Sequence, residues 1–324
     1  MFAEAIEDIL RDQCTPAVVR AIEAGGSPAP LWEAIAGAGF LDLLLGEEEG
    51  GAGLPLPELY TVVSHFGRYA VPLPVVQSIA ARALVAREAQ LPDGSITLAP
   101  ALRRDPDGAL RCPLVPYGAI AQYVLAADDG DLLLLRCESA QRNGTGILHS
   151  QLATLMWRDD RGAERIAGDG SALAPFAAAL HAALLAGAMS KVFEMTLQYC
   201  NERSQFGKTL GKFQAVQHQL SVMAELVAAT GIAAEASFQT TDRTPRLLSA
   251  AMAKARASEA AISVANTAHA LHGAIGITEA YDLHLFTRRL HEWRIAHGSE
   301  SHWNRVVGQQ VLAAPGTLAD FVRG

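Results

Sequence analysis

The hydrophobic positions of this chain change their period twice. Between Glu4 and Ala24 apolar residues recur every three or four positions, the spacing that gathers them on one face of an α-helix. The pattern predicts one helix there, a turn at Gly25-Gly26-Ser27-Pro28, and a second helix over Leu31 to Ala38. After the glycine cluster Gly50-Gly51-Ala52-Gly53, a helix over Pro57 to Phe66 places Leu59, Val62, Val63 and Phe66 on one face, and another runs from Val75 to Ala89 behind Pro72 and Pro74. From about Ser95 to Gly168 the texture shortens to β-type runs, Ile96-Thr97-Leu98, Tyr123-Val124-Leu125 and Leu132 to Leu135, separated by Asp-Pro-Asp-Gly and Asp-Asp-Gly-Asp turns. Helical spacing then returns, with helices expected near 172–200, 213–238, 246–272, 280–290 and 299–313. The order helix, sheet, helix predicts a mainly α fold with a small β domain: residues 1–92 helical, 93–170 a shortened middle β domain, 171–324 a helical bundle. The chain has no self-similar period and no low-complexity tract, which excludes a solenoid or a long disordered tail.

Composition narrows the function class. The 324 residues are 50% apolar, enough to bury a large core, and the net charge of −8 excludes the clustered Lys and Arg of a nucleic-acid surface. Cys14, Cys112, Cys137 and Cys200 are too scattered for a zinc or redox pair and read as idle thiols. The N-terminus Met1-Phe2-Ala3-Glu4 opens an acidic amphipathic segment, without the basic start and apolar block of a signal peptide. The longest apolar run, Ala172 to Met189, contains Pro175 and His181 and is mostly alanine, so it reads as a buried helix and not as a membrane span. A cytoplasmic protein is the expectation.

Candidate chemistry concentrates after residue 200. Arg203 follows a long helix and is trailed by Gly207 and Gly211, so its guanidinium either caps that helix's C-terminal dipole or forks onto a phosphate around which the backbone turns closely. Spacing leaves both open. His269 and His272 share a helical face, with His284, His291, His297 and His302 nearby, but the glutamate of a His-Glu-x-x-His zinc site is absent. No metal is expected; helix-capping or adenosine-contacting roles suit these histidines better.

The run Arg203, Gln205, Phe206, Gly207, Lys208 and then Phe213-Gln214 resembles the Arg-x-Gln-Phe-Gly signature of the acyl-CoA dehydrogenases. His272-Gly273-Ala274-Ile275-Gly276-Ile277-Thr278, continuing through His284 to Arg288-Arg289, is similar to the glycine-rich turn between two C-terminal helices of that family. Gly46-Glu47-Glu48-Glu49-Gly50-Gly51-Ala52-Gly53 looks like an N-terminal turn of the same family, with Gly46 where a proline and Glu49 where an aromatic usually stands. The resemblance covers nearly the whole chain and is strongest from about 184 to 311. It implies an N-terminal helical domain, a middle β-barrel domain and a C-terminal four-helix bundle. It further implies FAD at a subunit boundary, an acyl-CoA substrate, and oligomers, either homo-oligomers or heterotetramers. An electron-transfer flavoprotein or oxygen would reoxidise the flavin.

Carried over residue by residue, the resemblance gives Arg203 the FAD pyrophosphate of a neighbouring subunit, Phe206 a place beside the cofactor, and Gln214 the adenosine half. Gln205, Gly273 and Ala274, together with Ser299 and Ser301 of the later loop, complete the candidate cofactor-binding set. The chain also departs from the family. Ala270 stands where a cofactor-contacting glutamine is usual, and the segments that hold the flavin ring are missing between Leu91 and Ala167; Trp157, followed by Arg158 and Asp159, is not one of them. The position of the usual glutamate base, in Ile295-Ala296-His297-Gly298-Ser299-Glu300, holds His297, and the alternative position near Phe176-Ala177-Ala178 has no carboxylate.

His297 is therefore the candidate catalytic base, with Glu300 behind it, since a neutral imidazole accepts a proton near pH 7. These departures make the chain similar to the subunits of heterotetrameric acyl-CoA dehydrogenases of bacterial steroid side-chain breakdown, in which one chain supplies the base and the other completes the FAD site. A scaffold of the same fold that has lost FAD is the alternative.

Overall fold

The computed structural model describes residues 1–86 and 91–323. The single helix expected from Glu4 to Ala24 is two, α1 (Phe2–Gln13) and α2 (Pro16–Glu23). Thr15 divides them: its hydroxyl accepts the Val18 N–H, and Pro16 takes the first helical position, where a missing N–H breaks no bond. Helices α3 (Ala29–Gly37), α4 (Leu56–Arg68) and α5 (Val75–Leu84) follow, with Leu59, Val62, Val63 and Phe66 of α4 buried as their spacing requires. Helix α5 is shorter than its pattern suggested, because Val85 leaves it to bridge Gly168; residues 87–89 of the expected helix lie outside the described residues.

The middle of the chain forms two four-stranded sheets. One takes the order β1 (Ile96–Ala99), β4 (Tyr123–Asp128), β5 (Asp131–Arg136), β8 (Glu164–Ile166), with β1 and β4 parallel. The other takes β2 (Arg103–Arg104), β3 (Leu110–Val115), β7 (Ala153–Trp157), β6 (Gln141–Gly144). The barrel of the expectation is thus a pair of sheets packed face to face around Leu110, Cys112, Val124, Ala126, Leu135, Leu155 and Trp157. The first sheet turns Ile96, Leu98, Leu125, Leu132 and Leu134 the other way, into the helical core. Being buried on both faces, its strands are continuous apolar runs, which is why three of them were visible in the sequence.

Helix α6 (Leu173–Glu202) runs through the centre of the molecule, followed by the small hairpin β9 (Ser204–Gln205) and β10 (Lys208–Thr209). Helices α7 (Gln214–Ala236), α8 (Leu247–His272), α9 (Leu283–Ile295), α10 (Glu300–Ala313) and α11 (Leu318–Arg323) complete the bundle. By length and composition α6 could cross a membrane, but 94% of its most apolar stretch is buried inside the fold. Two glycines let α4 lie directly on it: a Cβ at Gly187 would stand 1.9 Å from the Ser64 carbonyl oxygen, and one at Gly67 2.1 Å from that of Leu184.

A buried ionic knot joins the three parts. Arg289 of α9 donates to Glu23 of α2 at 2.9 Å, to Glu292 at 2.9 Å and to the Gln151 side chain before β7 at 3.1 Å. Arg288 reaches the other oxygen of Glu23 at 2.5 Å. Because every partner is desolvated, losing one would strand a buried charge, so the knot fixes where the β domain sits against the helices.

Candidate functional site

The candidate residues fall into two places, at opposite ends of α6. At its C-terminal end, Arg203 leaves the helix with its N–H still bonded to the Tyr199 carbonyl, and its own carbonyl accepts from Leu210 across the hairpin. The hairpin turns through Phe206 and Gly207, both at positive φ (52° and 79°), as a two-residue connection of this hand demands. Arg203, Gln205, Phe206 and Lys208 all project into solvent; Phe206 is 91% exposed. Arg203 has no ion-pair or side-chain hydrogen-bond partner among the described residues, so helix capping does not occupy its guanidinium. Gln214 is exposed at the first position of α7.

The glycine-rich turn of residues 273–277 lies against the root of this hairpin. Tyr199, one turn before Arg203, stacks on His272 with ring centroids 4.4 Å apart and an interplanar angle of 24°. Gly273 ends α8 at φ 63°, ψ −145°, a conformation open to glycine and closed to other residues, and Gly273 and Ala274 are exposed. His272 bonds the Ala268 carbonyl within α8 at 2.8 Å, and His269 bonds the Thr287 hydroxyl of α9 at 2.8 Å, so one imidazole braces α8 and the other ties it to α9. The structure thus brings together Arg203, Gln205, Phe206, Gln214, Gly273 and Ala274 as one outward-facing surface.

The second place is the turn between α9 and α10. His297 sits there at φ 55°, and Gly298 follows at φ 107°. Lys254 of α8 is 0% exposed, and its ammonium donates to the carbonyls of Arg294 at 2.8 Å and Gly298 at 3.1 Å and to Ser258 at 2.8 Å. Trp303 of α10 donates its indole N–H to the His297 carbonyl at 3.1 Å. These bonds press the His297 ring edge-on against His181 of α6, centroids 4.7 Å apart. His181 bonds the Ala177 carbonyl through Nδ1, and its Nε2, like that of His297, is sealed without a partner.

Electrostatics follow from this packing. Desolvation, and then the Lys254 charge, push His181 down to about 3. Desolvation, and then the charges on His181 and Lys254, push His297 well below its ordinary value. Desolvation brings Lys254 itself down to about 7, although Glu300 pulls the other way. Glu300 is held by Arg294 at 2.6 Å, Ser299 is the N-cap residue of α10, and Ser301 is exposed on its first turn.

His297 lines a cavity of about 540 Å³ between this turn and the β domain, walled by Leu98, Pro100, Leu114, Val115, Ala174 and Trp303. Among the described residues, no aspartate or glutamate lines it. Lys254 and His181 escaped the sequence reading: one lies among the alanines of α8 and the other in the apolar run of α6. A lone charged or titratable residue inside an otherwise buried helix was the signal that marked both.

The exposed surface fits the diphosphate and adenosine half of FAD, since a free guanidinium, an uncovered aromatic ring and glycine-lined backbone all face outward. The cavity fits the ring half poorly, having apolar walls where hydrogen-bonding groups would have to meet the isoalloxazine. Nor can the two serve one molecule within a single chain. Ala174 lines the cavity and Arg203 follows Glu202, so by the helical rise they stand about 40 Å apart, farther than a flavin dinucleotide reaches.

Comparison with known proteins identifies the family. The model of the acyl-CoA dehydrogenase N-terminal domain matches residues 1–90, and that of the C-terminal domain residues 173–312. The chain is 33% identical over 303 residues to the acyl-CoA dehydrogenase IpdE2 of Mycobacterium tuberculosis, covering 90% of each protein. Among solved structures, the ChsE4-ChsE5 complex of Mycobacterium tuberculosis superposes with a TM-score of 0.84 at 21% identity, covering 97% of both chains. The Tcur3481-Tcur3483 steroid ACAD G363A variant gives 0.78 at 26% identity, covering 96% of both. The chain belongs to the acyl-CoA dehydrogenase family.

Proposed function

We propose that this chain is the non-catalytic subunit of a heteromeric, FAD-dependent acyl-CoA dehydrogenase, acting in the cytoplasm beside a homologous subunit that carries the base. The observation that carries the reading is His297. The base position holds an imidazole whose proton affinity is depressed by desolvation and by Lys254, in a cavity lined by no carboxylate. An α-proton of an acyl thioester needs an acceptor matched to the working pH, and a group held neutral far below pH 6.5 is a poor one. Glu300 is turned into its pair with Arg294 and does not line the cavity. Two of the relatives are named as two-protein assemblies, the ChsE4-ChsE5 complex and the Tcur3481-Tcur3483 steroid ACAD.

The task left to this chain is to complete the partner's site. FAD held by the partner would supply the hydride-accepting chemistry. Arg203 would offer its forked N–H groups to the diphosphate, Gln214 its amide to the adenosine, and Phe206 its ring as cover, while Gly273 and Ala274 let backbone approach.

The test is to purify the chain alone and with a glutamate-bearing homologous subunit, then record the visible spectrum and add acyl-CoA anaerobically. Flavin bands that bleach only in the pair, and that Arg203→Ala in this chain removes from it, are expected. Bleaching by the chain alone, abolished by His297→Ala, would overturn the reading; a pair that forms without flavin would favour a scaffold.

A further inference from the structure

We propose that the cavity beside His297 is a non-catalytic binding site for an apolar molecule with an anionic end. The proposal rests on the reading above, that this cleft no longer performs dehydrogenation. Its volume of about 540 Å³ lies within the roughly 300–1,000 Å³ of small-molecule sites. Leu98, Ala99, Pro113, Val115 and Ile295 give it apolar walls, and among the described residues its ionisable lining groups are Arg103, His297 and His302. Lys254 lies behind the His297 turn, so the floor is positive or neutral and never negative.

The edge of the cavity carries the second argument: Arg103 lines it, and Arg111, its cross-strand neighbour, stands just outside the lining. In the β2–β3 pair, Arg103 lies directly opposite Arg111. Directly opposed residues of an antiparallel pair share one face with Cβ atoms about 4.5–5.5 Å apart, and like charges there are destabilising. Neither guanidinium has an ion-pair or hydrogen-bond partner among the described residues. The adjacent Arg104, by contrast, is paired with both Asp128 and Asp160. Two unneutralised forks side by side are matched to the oxygens of a carboxylate or phosphate. Leu114, also on the rim, is 44% exposed and held at φ 47° in the irregularity between Cys112 and Val115, an exposed apolar group in a strained backbone that an apolar ligand would cover.

Calorimetric titration of the full chain, in the assembly in which it purifies, with decanoate, decyl phosphate and decanol tests this. Both anions should bind saturably, with decanol at least about tenfold weaker, a difference of about 1.4 kcal/mol. The exposed double variant Arg103→Gln/Arg111→Gln should remove that preference and leave decanol unchanged, and Ala174→Phe, filling the cavity from α6, should weaken all three. The better of the two anions identifies a carboxylate or a phosphate end. No saturable heat, equal binding of decanol, or an unchanged anion preference in the double variant overturns the proposal. Flavin plays no part in this readout, so the site can fail while the colour of the two-subunit complex still supports the functional reading, and the reverse.

Discussion

The hairpin at Arg203 and the turn at His297 sit at opposite ends of one helix and have opposite physical characters. The hairpin leaves the Arg203 guanidinium without an ion pair or hydrogen bond among the described residues and its aromatic ring 91% exposed, while Lys208 reaches only the nearby Lys212 carbonyl and Phe213 ring. The turn is tied by Lys254 and Trp303 and packs two imidazoles against each other. On the proposed function, a surface that acts on a neighbour stays independent of the fold's stability, whereas the turn at His297 is part of the packing that holds the bundle together. Binding variants and stability variants should therefore separate between the two regions.

The largest effect is expected at Lys254→Met. It keeps the volume of the side chain but leaves the Gly298 carbonyl without a donor, at about 1–3 kcal/mol, and removes the bonds to Ser258 and to the Arg294 carbonyl, which keeps the Ser258 hydroxyl, at about 1 kcal/mol more. A loss of about 2–4 kcal/mol in urea unfolding, with flavin content of the two-subunit complex unchanged in whatever remains folded, would uphold the comparison; flavin loss without destabilisation would break it. Gly298→Ala comes next. Its φ of 107° is hostile to a side chain, and a Cβ would stand 2.6 Å from His302 and 3.0 Å from the Trp303 indole nitrogen. A lowered midpoint worth about 1–3 kcal/mol is expected.

The pH dependence sharpens the same contrast. His181 has a folded value of about 3 against about 6.5 when unfolded, so between these the unfolded chain binds more protons. Its contribution is complete above pH 6.5 and is lost as pH falls toward 3; His297, shifted the same way, adds to the loss. Lys254, at about 7 folded against about 10.4 unfolded, has the same sign in a higher window, so stability should climb from pH 7 toward 10. Chemical denaturation from pH 4 to 10 would show both rises, and Lys254→Met should abolish the upper one and, by removing a charge that depresses both imidazoles, weaken the lower one. The smallest stability effect belongs to Arg203→Ala, within about 0.5 kcal/mol because the exposed guanidinium makes no hydrogen bond or ion pair among the described residues. A drop of several kcal/mol there would end the distinction between the two regions.

The sequence determined more of some elements than of others, for reasons of burial. The strands of the inner sheet were legible because both faces are covered, giving unbroken runs such as Leu132 to Leu135. The outer strands β2, β3, β6 and β7 were not, nor was β8 at the edge of the inner sheet: Pro113 interrupts β3, all four residues of β6 are exposed and two of the three of β8 are, so little in their polarity separates them from loops. The division of α1 from α2 was written locally, in Thr15 and Pro16, but a continuous apolar period masked it. The Arg203 motif was readable because its residues act through short-range spacing: a helix end, two turn residues and a new helix.

What only the tertiary structure decided is the state of His297. Its neighbours His181 and Lys254 are 116 and 43 residues away along the chain, and its basicity is set by desolvation and by a charge that those distant helices bring to it. The identity of a titratable residue is a property of the sequence. Its proton affinity is a property of the space around it, and that space exists only once α6, α8 and the α9–α10 turn have packed.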